Sequence, residues 1–248
     1  MKKIKGFTLS EVLVTLSILG VVAAISIPNM VQQYQKRLTI TKLQMVYSDL
    51  EKAAQNIAVN TGCIGRDIAC TGLLENFDSD KFIEASNLNV ASQKTGITRA
   101  HYLYCENPSS NCSSTKGSYF SPAEKLYIAK DNIGYLIKRT TIRTFDKNVS
   151  GKRVIQEGPG FIVFVFTEPK SKIIYNWKQL RLGRNVFVFT IYDNFQVEPI
   201  VVNGEGANFP QSKASSLSDY ACNKTDTLSS SGTSCAAKIM KDGWKINY

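Results

Sequence analysis

Residues 7–27 are predominantly apolar, and at ~1.5 Å per residue such a run makes a helix of roughly 31 Å, enough to cross a bilayer core. The pattern predicts a membrane span. Its one ionisable position is Glu11, and a carboxylate inside a span costs roughly 2.5 to 3.5 kcal/mol, so Glu11 asks for a partner. Beyond Pro28 there is no glycine or second proline until Gly62. Across that interval Leu43, Val46, Tyr47, Leu50, Ala54 and Ile57 recur at three- and four-residue steps, while Lys42, Gln44, Asp49, Lys52 and Asn56 take the other side. The helix is therefore expected to continue over residues 28–61 as an amphipathic half that packs against a head, with Gly62 available as a C-cap. Pro28 lacks an N–H and its ring crowds the carbonyl of Ala24, which weakens the ladder where the helix leaves the bilayer.

The rest of the chain changes texture twice. Residues 62–124 are rich in Ser, Asn, Thr and Gly and read as a connecting region, with a short helix expected around residues 73–74 and 77–83. Residues 125–202 read as strands. Residues 126–129 and 135–138 flank Asp131-Asn132 as a hairpin, and residues 161–167 form a short apolar run suited to a buried strand. A second hairpin is expected from residues 186–192 and 195–201 around Asp193-Asn194, residue types suited to the positive φ such turns need. The reading is an α+β fold: a mostly antiparallel sheet whose apolar face is covered by the amphipathic half of the first helix, the only long element available. Residues 203–248 are Ser/Gly-rich and form a C-terminal lobe.

Six cysteines occur as Cys63 and Cys70, Cys105 and Cys112, and Cys222 and Cys235. Three disulfides are the natural reading of three sequence-local pairs outside the span, stapling loops with little apolar content of their own; other connectivities are formally open, and proximity favours the local one. Zinc fits poorly, because no pair has C-x-x-C spacing and the one histidine, His101, has no second histidine beside it to complete a ligand set. The formal net charge is +10, or +7 without Lys2, Lys3 and Lys5. Those three lysines precede the span with no acid among them, which puts Met1 in the cytoplasm and the head outside. The other basic residues are scattered, so a partner such as nucleic acid gains no support from a dense Lys/Arg run, and a solvated basic surface accounts for them. No P-loop, no G-x-G-x-x-G and no nucleophile-and-base constellation around His101 is present. Asp78, Asp80 and Glu84 read as a solvated helix face. Neither an enzyme activity, a cofactor nor a metal is expected.

The residues Gly6-Phe7-Thr8-Leu9-Ser10-Glu11, followed by Val12, Leu13, Leu16 and Ile18 and preceded by the lysines, resemble the N-terminal signature of type IV pilins and the pseudopilins of type II secretion. A secretory signal would end in a small-residue cleavage site after its apolar core, and residues 26–30 supply none. The resemblance implies a cut between Gly6 and Phe7 by a prepilin peptidase, N-methylation of Phe7, and retention of the apolar segment in the product. It divides the chain into a cleaved leader (1–6), a transmembrane half-helix (7–27), an amphipathic half-helix (28–61) and a globular head (62–248). It implies a type IV pilin-like fold, storage in the bacterial inner membrane, and partners in the assembly platform, the lipid bilayer and other pilin or pseudopilin subunits. Glu11 would then meet the N-terminal amine of a neighbour, and Pro28 would mark where the helix loosens during assembly; an ordinary tolerated kink explains Pro28 equally well. Residues 182–199 also resemble the late sheet region of some pseudopilin-like proteins. Major pseudopilins bind calcium in a distal loop, but Lys178, Gln179, Arg181 and Arg184 crowd the corresponding neighbourhood, so no calcium site is expected. The competing class is a single-span anchored extracytoplasmic binding domain that acts as a monomer, for which Glu11 has no use.

Overall fold

The computed structural model describes residues 8–63, 77–97, 99–101, 117–119, 124–149, 152–168, 180–192, 194–200, 222, 232 and 234–248. In chain order the elements are α1 (Leu9–Asn60), α2 (Ser79–Ser86), β1 (Val90–Lys94), β2 (Arg99–His101), β3 (Gly117–Tyr119), β4 (Leu126–Ala129), β5 (Gly134–Val149), β6 (Lys152–Phe166), β7 (Val186–Ile191), β8 (Val197–Pro199) and α3 (Cys235–Lys241). They form two units, Met1–Thr41 and Lys42–Tyr248.

In the first unit the helix runs through Pro28, and its apolar side chains, from Leu9 and Leu13 to Ile25 and Ile27, are exposed. The hydroxyls scattered among them are absorbed by the helix's own backbone: Thr15 Oγ1 donates to the Val12 carbonyl at 2.9 Å and Ser17 Oγ to the Leu13 carbonyl at 2.8 Å. Such back-bonding removes polar groups from an apolar surface without breaking the helix.

The second unit opens with the remainder of α1. Leu43, Val46, Leu50, Ala54 and Ile57 are buried in one cluster with Tyr127, Tyr135, Phe161, Val163, Val165, Phe187 and Phe189 of the sheet. This is the apolar stripe read from the sequence, and the spacing of three and four residues is what turns it toward one face. Two residues assigned to the opposite, solvated side behave otherwise. Lys42 Nζ donates to the Thr167 carbonyl at 2.8 Å and Asn56 Nδ2 to the Ser86 carbonyl at 3.0 Å, so both flank the stripe and reach carbonyls left over at element ends. The helix ends where the sequence places a glycine: Thr61 N–H donates to the Ile57 carbonyl, and Gly62 takes φ +72°.

The main sheet has the order β1-β4-β5-β6-β7-β8 with every pairing antiparallel. The expected β4–β5 hairpin is present, with Asn132 at φ +65°. At the β7–β8 turn the positive φ falls on Phe195 (+61°) and not on the Asp193-Asn194 pair. Asn194 contributes differently, its Oδ1 accepting from Gln196 N–H at 3.1 Å, an Asx-type closure that substitutes for a left-handed residue.

Strand alternation splits the side chains between two cores. Phe161, Val163 and Val165 of β6 join the α1 cluster, whereas Phe164 and Phe166 lie in a second cluster with Leu126, Ile128, Leu136, Val186, Val188, Ile97, Leu180, Leu182 and Ile200. Both faces of the sheet are thus buried. A sheet with one covered face was the sequence expectation; the unbroken apolar runs of β6 and β7 reflect burial on both sides.

The region read as connecting loop contributes structure. Asp78 caps α2, its Oδ1 accepting from Lys81 N–H at 2.8 Å, and β1 supplies an edge strand to the main sheet. Residues 73 and 74 lie outside the described residues. Asp80 is not simply solvated: it pairs with Lys125 and accepts from the Tyr127 hydroxyl at 2.7 Å, fastening α2 to β4. At the other end of the chain, Cys235, Ala236 and Ile239 of α3 belong to the same core as α1, so the described part of the C-terminal lobe is built into the head. Gly183, at φ +81°, makes room for this docking, because a Cβ there would stand 2.9 Å from that of Cys235. The Gly183 carbonyl accepts from the Tyr248 hydroxyl at 2.7 Å.

Candidate functional site: the amino-terminal segment

Thr8 and Glu11 form a reciprocal capping pair at the start of α1. Thr8 N–H and Thr8 Oγ1 each donate to Glu11 Oε2 at 2.8 Å, and Glu11 N–H donates to Thr8 Oγ1 at 3.3 Å. The sequence explains it, since Thr-x-x-Glu ahead of an apolar run is a capping box, whose side chains satisfy backbone donors that have no partner inside the helix. The carboxylate expected to stand unpaired therefore has a partner in its own chain. Sequence reasoning missed this role for Thr8, although the three-residue spacing carried the signal.

Gly6 and Phe7, the predicted cleavage pair, lie outside the described residues. Pro28 sits within α1 with the helix uninterrupted. Of the cysteines, Cys222 and Cys235 are bonded, with Cα atoms 5.0 Å apart, as sequence proximity favoured. Cys63 is buried and also in a disulfide. Cys70, Cys105 and Cys112 lie outside the described residues. His101 is placed in β2, paired through its backbone with Gly117. Among the described residues no group of three or more His, Cys, Asp or Glu side chains is arranged to hold a metal.

The site thus consists of an apolar helix that is long enough to cross a membrane, fully exposed along its most apolar window, and opened by a polar cap containing its only carboxylate. Nothing in that arrangement performs bond chemistry; it presents a surface to lipid or to other apolar helices. With the antiparallel sheet and long helix behind it, the class is a membrane-span-bearing protein of pilin-like α+β architecture. The family model for the prokaryotic N-terminal methylation motif matches residues 1–27, the signal motif of type IV pilins and pseudopilins. No curated protein and no solved structure matches the chain.

Proposed function

We propose that the chain is a structural subunit of a type IV pilus or a type II secretion pseudopilus, stored in the inner membrane with its head outside the cytoplasm. A prepilin peptidase cuts between Gly6 and Phe7, Phe7 is methylated, and an assembly platform moves the product into a filament with other pilin or pseudopilin subunits. The protein is not an enzyme in this reading. The observation that carries it is the methylation motif on an exposed apolar helix that keeps a single carboxylate, Glu11, near its start.

The Thr8–Glu11 cap gives that carboxylate a resting partner. Cleavage at Gly6 creates a positive amine on Phe7, four residues before Glu11. A neighbour's amine offers a charge-assisted bond, roughly twice as strong as the neutral bonds from Thr8, so assembly is favoured over the capped state within the bilayer.

Glu11→Val tests this. The variant keeps Gly6 and a more apolar span, so it should insert and be cleaved as the wild type is, yet be lost from sheared surface fractions while remaining in membrane fractions on immunoblots. Assembly of Glu11→Val at the wild-type level would remove the role assigned to Glu11. Wild-type protein that never enters sheared or crosslinked multimers would instead favour an anchored monomeric binding domain.

A further inference from the structure

The longest strands of the sheet outrun their neighbours. β5 and β6 stay paired from Gly134↔Phe166 out to Val149↔Lys152, whereas β4 pairs no further along β5 than Leu136 and β7 no further along β6 than Phe161. From Thr140↔Gly160 outward the pair is a two-stranded ribbon of about ten residues per strand, or ~33 Å at ~3.3 Å per residue. An isolated two-stranded ribbon is marginal in water. Gly158, Pro159 and Gly160 at its root weaken it further, since glycine packs nothing and proline cannot donate to a ladder. A ribbon of this length, flanked by neither β4 nor β7, calls for a partner.

Charge indicates which one. The register sets Arg143 opposite Glu157, which leaves Lys147, Lys152 and Arg153 toward the distal end against the single acid Asp146. The chain as a whole is basic, but α2 is not. Its exposed positions include Asp78, Asp80 and Glu84, with Lys81 the one basic residue. The root of the ribbon lies beside the start of α2 of the same copy, where Phe77, Asp78 and Ser79 border one cleft with Ile137, Lys138 and Arg139. The distal end therefore stands about a ribbon's length, ~33 Å, from its own α2.

We propose that the distal end of the β5–β6 ribbon of one copy docks on α2 of a second copy, a contact between heads that rests on the filament reading above. Because two different surfaces meet, the contact is head-to-tail, and repetition of such a contact builds an open helical array instead of a closed dimer. It also brings opposite charges together on heads whose net charge would otherwise repel.

Zero-length carbodiimide crosslinking tests the contact, since it joins amines to carboxylates that touch. The full-length chain is co-expressed as two differently tagged copies, and membranes and sheared fractions are treated and mapped by mass spectrometry. Links between Lys147 or Lys152 of one copy and Glu84 of the other are expected. They should be lost in Lys147→Glu/Lys152→Glu and regained when Glu84→Lys is added. Multimers trapped by an amine-reactive crosslinker without any ribbon-to-α2 link, or a swap that fails to restore it, overturn the docking while leaving the filament intact. The absence of every multimer overturns the filament reading itself. Reversed-charge protein that assembles and crosslinks normally but loses retention of added duplex DNA would assign the ribbon to a polyanion and overturn the docking.

Discussion

Glu11 costs less in the isolated chain than its place in an apolar helix suggests, because Thr8 supplies both an N–H and a hydroxyl to the same oxygen. An uncapped carboxylate would have to be paid for elsewhere in the span. Asp49 shows the opposite situation in the head. It lies on α1 beside the buried stripe, and burial first, with repulsion from Asp131 second, holds its carboxyl above the ordinary range despite Lys52 at 4.0 Å. A raised folded-state value means that the fold binds the proton more tightly than the unfolded chain does. The resulting contribution is fully present below the ordinary carboxyl value of 3.8 and is lost as pH rises through the elevated one. Asp49→Asn should accordingly raise the melting temperature of the head at pH 7, with the advantage disappearing below pH ~3.9, where the free carboxyl is protonated. Melting curves across pH 3 to 8 would check it, and a variant less stable than wild type at pH 7 would contradict it.

At the scale of elements, α1 and the two hairpins were legible because their patterns are local. Leu43, Val46, Leu50, Ala54 and Ile57 repeat with the helical period, and all are buried on the sheet. Asp131-Asn132 sits between apolar runs and makes the turn it announces. What escaped the sequence were features whose cause is non-local. β1 is a polar edge strand, Val-Ala-Ser-Gln-Lys, held by its pairing with β4 and not by alternation. The outer halves of β5 and β6, rich in Thr, Arg and Gly, depend on each other for their register, so neither reads as a strand alone. The second core was hidden because unbroken apolar runs do not say which face a residue takes. The α1 stripe is the part of this architecture that carries weight in packing, and Leu50, completely buried, lies near its middle. Leu50→Ala should destabilise the head by about 2 to 5 kcal/mol through lost burial and a residual cavity. Chemical denaturation reads the loss, and a change below ~1 kcal/mol would mean that the helix does not pack as described.

For the whole molecule, the candidate site was largely readable from the first thirty residues, because processing signals are linear and do not depend on the fold. The Gly6-Phe7 step, Glu11 and the span all came from the sequence, and the methylation motif matched over residues 1–27 bears out the signature. The head is different: its sheet and one disulfide between Cys222 and Cys235 fit a pilin-like α+β protein, but nothing in them names a ligand. The central claim is that this chain is a processed precursor, and the intact mass of the protein isolated from the producing cell's membrane tests it most directly. A mature species beginning at a methylated Phe7, together with retention of all six leader residues in Gly6→Leu, is the predicted result. A mature protein that begins at any other residue, or normal processing of Gly6→Leu, would contradict it.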